Sequence, residues 1–211
     1  GTGIAGLYTA LKLSEMKEKN IFVLTKDEIK ESNTQYAQGG IAAVLNEGDS
    51  LNLHIQDTLE AGAGLCKEKA VKILVREGPD RVRELIELGT NFDHIEGELD
   101  LTREGAHTRR RILHARGDAT GEEIRESLTD VVKERDNIFL KESNFMIDLI
   151  TSETEKSQEI EGVLVRDDIQ DIYKIYRCGQ VILATGGCGQ IYQNTSNPEV
   201  TTGDGIAAAY R

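Results

Sequence analysis

Basic residues are scarce in this sequence. Its 211 residues include 25 lysines and arginines against 37 aspartates and glutamates, which gives a net charge of −12 at pH 7. Because nucleic acids and anionic membrane surfaces bind through cationic protein surfaces, neither is expected as the main partner. No run of residues approaches the roughly 18 apolar positions of a membrane-spanning helix, so a membrane span is not expected either.

The usual metal ligands are also few. The three cysteines, Cys66, Cys178 and Cys188, lie far apart and lack the paired spacing of a zinc site. Only four histidines occur in the whole chain. We therefore expect three reduced thiols in a cytoplasmic protein, and no metal site.

Helical and strand patterns follow one another along the chain, which predicts an α/β fold. Helices are predicted over residues 3–18, 53–63, 68–88, 120–135 and 206–210, the third of them as one long helix or as two shorter ones broken near Gly78-Pro79. Strands are predicted over 21–24, 138–140, 145–150, 162–166, 172–176 and 181–184. The four strands from 138 to 176 suggest an antiparallel meander, and the fully apolar segment 181–184 suggests a buried parallel strand. Residues 96–111 are predicted as a polar, arginine-rich loop.

The sequence begins on a glycine pattern, Gly1-Thr-Gly-Ile-Ala-Gly6, that runs directly into the first predicted helix. In a dinucleotide-binding fold such glycines permit a tight turn, a close approach of backbone N–H groups to a pyrophosphate, and close packing of helix on strand. An ordinary glycine turn is the alternative. Because the strand that should precede Gly1 is missing from the sequence, we expect the chain to be a piece of a longer one.

The end of the predicted strand 21–24 departs from the simplest NAD-binding pattern. An acid normally stands there to bind the ribose hydroxyls of the nucleotide, but this sequence has Lys26. A lysine suits a contact with an adenosine ribose or phosphate instead.

The segment 31–40 contains almost nothing to bury, but it is rich in amides and hydroxyls. Asn33, Thr34 and Gln38 offer hydrogen-bond donors and acceptors for the polar edge of a flavin ring. Gly39 and Gly40 would let the backbone lie against that ring. A purely structural turn loop is the alternative.

Several motifs, taken together and in order, resemble one family. They are Gly1–Gly6, Leu24–Lys26, Asn33–Gly40, Leu101–Gly105, His114–Gly121, Ala184–Gly187 and Gly203–Gly205. Over essentially the whole chain they are similar to the succinate dehydrogenase and fumarate reductase flavoprotein family. The resemblance implies a Rossmann-like FAD-binding domain with a parallel sheet, an antiparallel β-meander and a helical insertion. Residues 1–211 would be its N-terminal part, without the first strand, the capping domain and the C-terminal helical domain.

The resemblance also implies how the cofactor binds. Membrane-bound relatives attach the flavin covalently to a histidine where this sequence has Asn33, so FAD is expected to bind non-covalently. The family also accepts the lysine at position 26. The implied cofactor-binding residues are Gly1, Gly3, Ile4, Ala5, Gly6, Lys26, Asn33, Thr34, Tyr36, Ala37, Gln38, Gly39, Gly40, Asn144, Phe145, Gly186 and Asp204.

Within that family, Asn33 and the segment 36–40 favour the branch that oxidises L-aspartate. A glutamate at the position of Glu104 orients the amino group of the substrate in that branch. The alternative for Glu104 is a solvated acid paired with nearby arginines. Arg109–Arg111 are interpreted as loop scaffold, the roles of His107 and His114 stay open, and the catalytic arginine is expected outside this fragment.

The reaction implied is the two-electron oxidation of L-aspartate to iminoaspartate, with oxygen or fumarate as the electron acceptor. It is the first step of NAD biosynthesis, and quinolinate synthase would receive the product. The fragment alone is expected to be inactive. Two alternatives remain, a soluble fumarate reductase or succinate dehydrogenase flavoprotein and a non-catalytic nucleotide-binding fragment.

Overall fold

A computed structural model describes residues 1–153 and 158–211. The chain divides into two compact units, the first formed by Gly1–Gln35 with Thr129–Arg211 and the second by Tyr36–Leu128. The helices are α1 (Ile4–Ser14), α2 (Leu51–Ala61), α3 (Glu68–Glu87), α4 (Thr120–Lys133) and α5 (Asp204–Tyr210), with a short 3₁₀ turn at Gly189–Ile191. The strands are β1 (Ile21–Leu24), β2 (Ile41–Ala42), β3 (His94–Ile95), β4 (Glu98–Leu99), β5 (Leu101–Thr102), β6 (Ile112–Leu113), β7 (Ile138–Lys141), β8 (Asn144–Glu153), β9 (Gln158–Asp167) and β10 (Ile172–Arg177).

In the first unit, helix α1 packs against the parallel pair β1 and β7. Apolar residues recur at helical spacing along α1, and Leu7 and Leu11 are buried there. In the register of the pair, Ile21 lies opposite Ile138. A parallel pair requires a crossover rather than a tight hairpin, and here α4 precedes β7 in the chain.

The rest of the first unit's sheet structure is antiparallel, in the order β10-β9-β8. Val163 and Val165 of β9 are buried. The predicted meander is therefore confirmed for three of its four strands. The fourth, predicted over 138–140, is a strand, but it pairs in parallel with β1. Alternating hydrophobicity reveals that a segment is extended without revealing its partner, which explains the difference.

The segment 181–184 corrects a second prediction. It is not assigned as a strand, and Ile182 is 58% exposed. Among the described residues no strand pairs with it. A short apolar run without hydrogen-bonded neighbours on either side has nothing to bury it, whatever its composition.

In the second unit, α2 and α3 pack through Ile55, Val71 and Val75. Helix α3 continues without interruption through Pro79, so the segment predicted as one long helix or two shorter ones is one helix. The proline removes one backbone hydrogen bond, but the buried positions Val75 and Val82 continue the apolar stripe on both sides of it.

Short strands complete the second unit, as a β2-β6-β5 sheet and a β3-β4 hairpin. The predicted loop 96–111 therefore contains two strands, β4 and β5, each only two residues long and too short to show an alternating pattern. Residues 103–111 connect β5 to β6. The α/β class is confirmed, and none of the helices within 1–153 and 158–211 is long and apolar enough to cross a bilayer.

Candidate functional site

The glycine turn at the start of α1 is packed too tightly to hold side chains. A Cβ atom on Gly1 would collide with the carbonyl oxygen of Ala184, and one on Gly6 would collide with the carbonyl oxygen of Gly1. Gly3 is the N-cap residue of α1, in extended conformation and without a capping side chain. The first backbone N–H groups of α1 therefore lie beside bare backbone, as close approach to an anionic ligand requires.

A cavity of about 440 Å³ opens at this turn, within the first unit. The end of β1, the start of β8, the segment 183–186 and the start of α5 complete its wall. Its lining residues are Gly1, Thr2, Gly3, Ile4, Ala5, Leu24, Thr25, Lys26, Glu31, Ser32, Asn33, Thr34, Asn144, Phe145, Met146, Leu183, Ala184, Thr185, Gly186, Val200, Thr201 and Asp204. The volume lies in the range of small-molecule and cofactor pockets.

One polar side chain of the wall lacks a partner. Thr2 is only 2% exposed, and its Oγ1 has no hydrogen-bond partner. An unsatisfied buried hydroxyl costs roughly 1–3 kcal/mol, so Thr2 is a candidate for a contact with a ligand. The N-terminus of α1 beside it is the kind of site that binds the pyrophosphate of a dinucleotide.

Other polar groups of the wall are already paired. Ile4 N–H donates to the Oγ1 of Thr34 at 3.0 Å, so a side chain 30 residues away satisfies one free amide of α1. The Nδ2 of Asn33 donates to the Oγ1 of Thr201 at 3.0 Å. These bonds hold the segment 31–34 on the cavity wall, where the sequence places its cofactor contacts.

Lys26 and Asp204 form an ion pair on the same wall. The Lys26 Nζ lies 2.5 Å from the Asp204 Oδ2, and the Thr202 hydroxyl donates to the same carboxylate oxygen at 2.8 Å. Lys26 also lies over the ring of Phe145, 5.9 Å from its centroid. The cation at the end of β1 thus has a carboxylate partner and an aromatic face beside it.

The side chain of Asn144 is occupied by structural bonds. Its Nδ2 donates to the carbonyl of Glu142 at 2.7 Å, and Tyr176 Oη donates to its Oδ1 at 3.2 Å. Asn144 is 5% exposed. The backbone N–H of Asn144 is occupied too, since it donates to the carbonyl of Thr25 at 2.8 Å, and the contact of this residue with the cofactor stays a prediction.

The cavity brings together eleven of the seventeen residues predicted to bind the cofactor. They are Gly1, Gly3, Ile4, Ala5, Lys26, Asn33, Thr34, Asn144, Phe145, Gly186 and Asp204. Gly6 is outside the lining and packs against the turn instead. Tyr36, Ala37, Gln38, Gly39 and Gly40 belong to the second unit, where their flavin contacts stay a prediction.

Residues 37–40 have structural contacts inside the second unit. The carbonyl of Ala37 accepts from Gly121 N–H at 2.9 Å, and the Nε2 of Gln38 donates to the Oδ2 of Asp118 at 3.4 Å. Gly40 has a φ of +75°, and a Cβ there would meet the side chain of Ile112 at 2.7 Å. Packing against β6 thus accounts for this glycine without a ligand.

Sequence reasoning missed several wall residues, above all Thr2, Thr185 and Thr201. Thr2 stands between two glycines of the motif, so its position was a usable signal. Thr185 contacts Gly205, where a Cβ would collide with the Thr185 hydroxyl. That contact joins segments 20 residues apart, and no local pattern reveals it.

Glu104 lies in the connection 103–111 of the second unit. Its side chain is 54% exposed, and its Oε1 is 3.4 Å from the Nε2 of His114. The alternative interpretation, a solvated acid paired with nearby arginines, is met only in its exposure, because the ion-pair partner of Glu104 is this histidine. Its substrate-orienting role stays a prediction.

The same connection is anchored by a buried arginine. Arg111 is fully buried, and its Nε and Nη2 donate to the two carboxylate oxygens of Asp49 at 2.7 and 2.8 Å. Its Nη1 donates to Asp57 at 2.6 Å, and Thr108 donates to Asp57 through both its N–H and its hydroxyl at 2.9 Å. Arg111 is therefore scaffold, as the sequence predicts.

Charge in this anchor is only partly compensated at neutral pH, because one guanidinium faces two carboxylates. Burial alone raises the pKa of Asp49 and Asp57, but hydrogen bonds from Arg111 and from neighbouring N–H groups outweigh it and leave both below their ordinary value. Burial also lowers the pKa of His54, and the positive charges of Arg111 and His107 lower it further. His54 is 7% exposed and its Nδ1 has no partner, so it is held neutral beside the ion pairs.

The turn, the cavity and the unpartnered hydroxyl define a dinucleotide-binding domain. A comparison with protein families matches residues 1–211 to the FAD binding domain family, and the chain belongs to that family. FAD is thereby confirmed as the expected cofactor. Neither the fold nor this match tests whether the flavin is covalently attached.

Individual proteins of known name show which members of the family this chain is similar to. The chain is 45% identical over 212 residues to an L-aspartate oxidase of Streptomyces coelicolor, with 100% of this chain and 36% of that protein covered. It is 45% identical over 217 residues to a chloroplastic L-aspartate oxidase of Arabidopsis thaliana, covering 100% of this chain and 32% of the relative. A quinol fumarate reductase structure from E. coli superposes with a TM-score of 0.92 at 26% identity, covering 99% of this chain and 35% of the other. The resemblance seen in the motifs is confirmed, and the chain spans about a third of the length of these relatives.

Proposed function

We propose that this chain is the FAD-binding part of an enzyme that oxidises L-aspartate to iminoaspartate. The observation that carries the proposal is the 45% identity to an L-aspartate oxidase along the full length of the chain. The likeness to a fumarate reductase structure is lower in sequence, at 26%. FAD, when bound, supplies the acceptor for the two electrons that leave the substrate.

In this proposal the first unit holds the cofactor. The N-terminus of α1 and the Thr2 hydroxyl bind the pyrophosphate, and the unpartnered state of that hydroxyl supports the assignment. Lys26 and the backbone at Asn144 and Phe145 contact the adenosine end. Asn33 lies on the cavity wall and has no nucleophile that could bond to the flavin, which supports non-covalent binding.

Glu104 is the residue of this chain that distinguishes an amino acid from a plain dicarboxylate. An ammonium group in a site from which water is excluded requires a carboxylate partner, and charge-assisted hydrogen bonds of this kind are the strong ones. Succinate and fumarate have no amine and need no such partner. The conversion also requires residues beyond these 211, including the expected catalytic arginine.

The test uses the full-length protein that carries this sequence. L-aspartate is expected to be oxidised with oxygen or fumarate as acceptor, and heat or acid precipitation is expected to release all the yellow flavin into the supernatant. Flavin that stays with the precipitate would contradict non-covalent binding. Succinate oxidation without L-aspartate oxidation would contradict the proposed substrate.

A second candidate is supported by the structural likeness to a quinol fumarate reductase, at a TM-score of 0.92. It predicts a dicarboxylate substrate and no requirement for Glu104. Replacing Glu104 by Gln separates the two, since an L-aspartate oxidase loses amino-acid turnover and keeps fumarate reduction. If the chain belongs to an L-aspartate oxidase, as proposed first, its product would pass to quinolinate synthase. A cytoplasmic location is part of the same proposal, although one relative is named chloroplastic.

A further inference from the structure

We propose that His114 is a positioning residue. It holds one carboxylate oxygen of Glu104, so that the other oxygen of Glu104 faces the amino group of the substrate. The inference rests on the proposed L-aspartate oxidation and deepens it. Its evidence is the geometry around the imidazole in the second unit, in particular the contacts with Thr102, Glu104 and Gly40.

The side chains of Glu104 and His114 meet beside the β5–β6 pair. These strands are antiparallel, with Leu101 opposite Leu113 and Thr102 opposite Ile112, so the residues after β5 and after β6 leave the pair at opposite ends. The connection after β5 nevertheless brings the Glu104 Oε1 to 3.4 Å from the His114 Nε2. The carbonyl of His114 also accepts from Asp93 N–H at 2.8 Å, so the backbone under the imidazole is fixed.

The ring itself has little room to turn. The His114 side chain is only 16% exposed. A Cβ on Gly40 would lie 3.0 Å from its Cε1, so the bare backbone of Gly40 is already close to one edge of the ring. Because Gly40 has a φ of +75° and contacts β6 closely, this neighbour is itself fixed.

The hydrogen bonds determine which nitrogen carries a proton. The Thr102 hydroxyl donates to the carbonyl of Ile112 at 3.4 Å, so its oxygen is left to accept from the His114 Nε2 at 3.1 Å. The other neighbour of Nε2 is the Glu104 Oε1 at 3.4 Å, and a carboxylate only accepts. With the Thr102 oxygen as acceptor, Nε2 is the nitrogen that carries the proton, and the Glu104 carboxylate lies beside it.

This arrangement leaves the two oxygens of Glu104 with different roles. The glutamate is 54% exposed on its side chain, and its Oε1 lies 3.4 Å from the His114 Nε2. A long acidic side chain on a loop otherwise samples many rotamers, and restricting it before the substrate arrives removes that entropy cost from binding. Oε2 is then the oxygen available to the ammonium.

The experiment uses the full-length holoenzyme and three substitutions of one residue. His114→Leu removes the donor. His114→Gln places an amide N–H near the Nε2 position, whereas His114→Asn has an amide too short to reach it. His94→Leu is the matched control, because His94 lies in the exposed β3-β4 hairpin and its Nδ1 contacts the Phe92 carbonyl instead.

For L-aspartate, His114→Leu and His114→Asn are expected to lower kcat/KM about tenfold, mostly through KM, because Glu104 is then no longer held in place before the substrate binds. His114→Gln recovers most of that loss, and His94→Leu changes nothing. Fumarate reduction, which involves no amine, stays within about twofold in every variant. Flavin content and thermal stability are measured for every variant. If His114→Leu folds poorly, the comparison of L-aspartate turnover between His114→Gln and His114→Asn tests the proposal instead.

Coupling to Glu104 is tested by a double-mutant cycle. In a Glu104→Gln background, His114→Leu is expected to cause no further loss of L-aspartate turnover, because the positioned group is already changed. Additive losses, or an equal loss of fumarate reduction, would show that His114 only supports the fold and would overturn the proposal. If the unsubstituted enzyme reduces fumarate but does not oxidise L-aspartate, the proposed function fails first and this inference falls with it.

Discussion

Thr2 of the first unit and Arg111 of the second are buried polar side chains of opposite kinds. Beside the cavity of the first unit, Thr2 is 2% exposed and its hydroxyl has no partner. Under the loop 103–111 of the second unit, Arg111 is fully buried but bonded to both Asp49 and Asp57. The difference teaches that an unsatisfied buried group beside a cavity is a candidate for a ligand contact, whereas a satisfied network fixes a loop.

The largest effect is expected from breaking the satisfied network. Arg111→Met leaves Asp49 and Asp57 buried without their cation, which should lower the free energy of unfolding by about 3–5 kcal/mol. Urea unfolding of the full-length protein measures it. Arg109→Met, at an exposed position of the same loop, should stay within about 0.5 kcal/mol. Equal destabilisation by both would contradict the anchoring role.

A smaller effect is expected from adding a side chain to the glycine turn at the start of α1 in the first unit. In Gly6→Ala the new methyl group collides with the carbonyl oxygen of Gly1, so the turn must open. FAD should bind about 10–100-fold more weakly, as overpacking costs of about 1–3 kcal/mol imply. Equilibrium dialysis of the apoprotein against FAD measures the change.

The control for that substitution is Gly78→Ala, since Gly78 lies inside α3 with open space around it. It should leave FAD affinity unchanged and raise the free energy of unfolding by about 0.5–1 kcal/mol. If Gly6→Ala also left FAD affinity unchanged, the turn would not be the pyrophosphate site.

The comparison is sharpest for Thr2 and Thr90, because both have buried hydroxyls without partners. Replacing either by valine should stabilise the apoprotein by about 1 kcal/mol, since an unsatisfied polar atom is removed. Only Thr2→Val should also weaken FAD binding, by about tenfold. Thermal unfolding with and without FAD measures both quantities. If FAD stabilised both variants to the same extent, Thr2 would have no specific part in binding FAD.

The smallest effect is a pH dependence from His54. Burial lowers its pKa, and the charges of Arg111 and His107 lower it further, so the unfolded chain takes up a proton at higher pH than the folded one. The stability it contributes is complete above about pH 6.5 and is lost as the pH falls towards the folded pKa. Unfolding free energies measured from pH 8 to pH 5 should fall less steeply in His54→Leu than in the parent. A parallel decline in both proteins would assign the effect to other groups.

Local patterns predicted the elements that position the cofactor. Strand β1 occupies Ile21–Leu24, the residues that the apolar run indicated, and Lys26 at its end lines the cavity. The glycine spacing placed the turn and the start of α1 correctly, although the helix ends at Ser14 and not at residue 18. These features depend on neighbours in sequence, which is why the sequence alone revealed them.

Features that join distant segments were not predictable in this way. The bond of Arg111 to Asp49 spans 62 residues, and the contact of His114 with Glu104 depends on how the connection 103–111 folds back. The apolar segment 181–184 was wrongly predicted as a buried strand, because burial depends on partners that composition does not show. The roles of Glu104 and of residues 36–40 still rest on prediction.

The central proposal is that this chain binds FAD non-covalently and that the full-length enzyme uses this FAD to oxidise an amino acid. Its most direct test is to mix the full-length holoenzyme with L-aspartate in the absence of oxygen and to follow the visible absorption of the flavin. The account predicts that L-aspartate bleaches the flavin and that succinate does so far more slowly. Bleaching by succinate alone, with no response to L-aspartate, would contradict it.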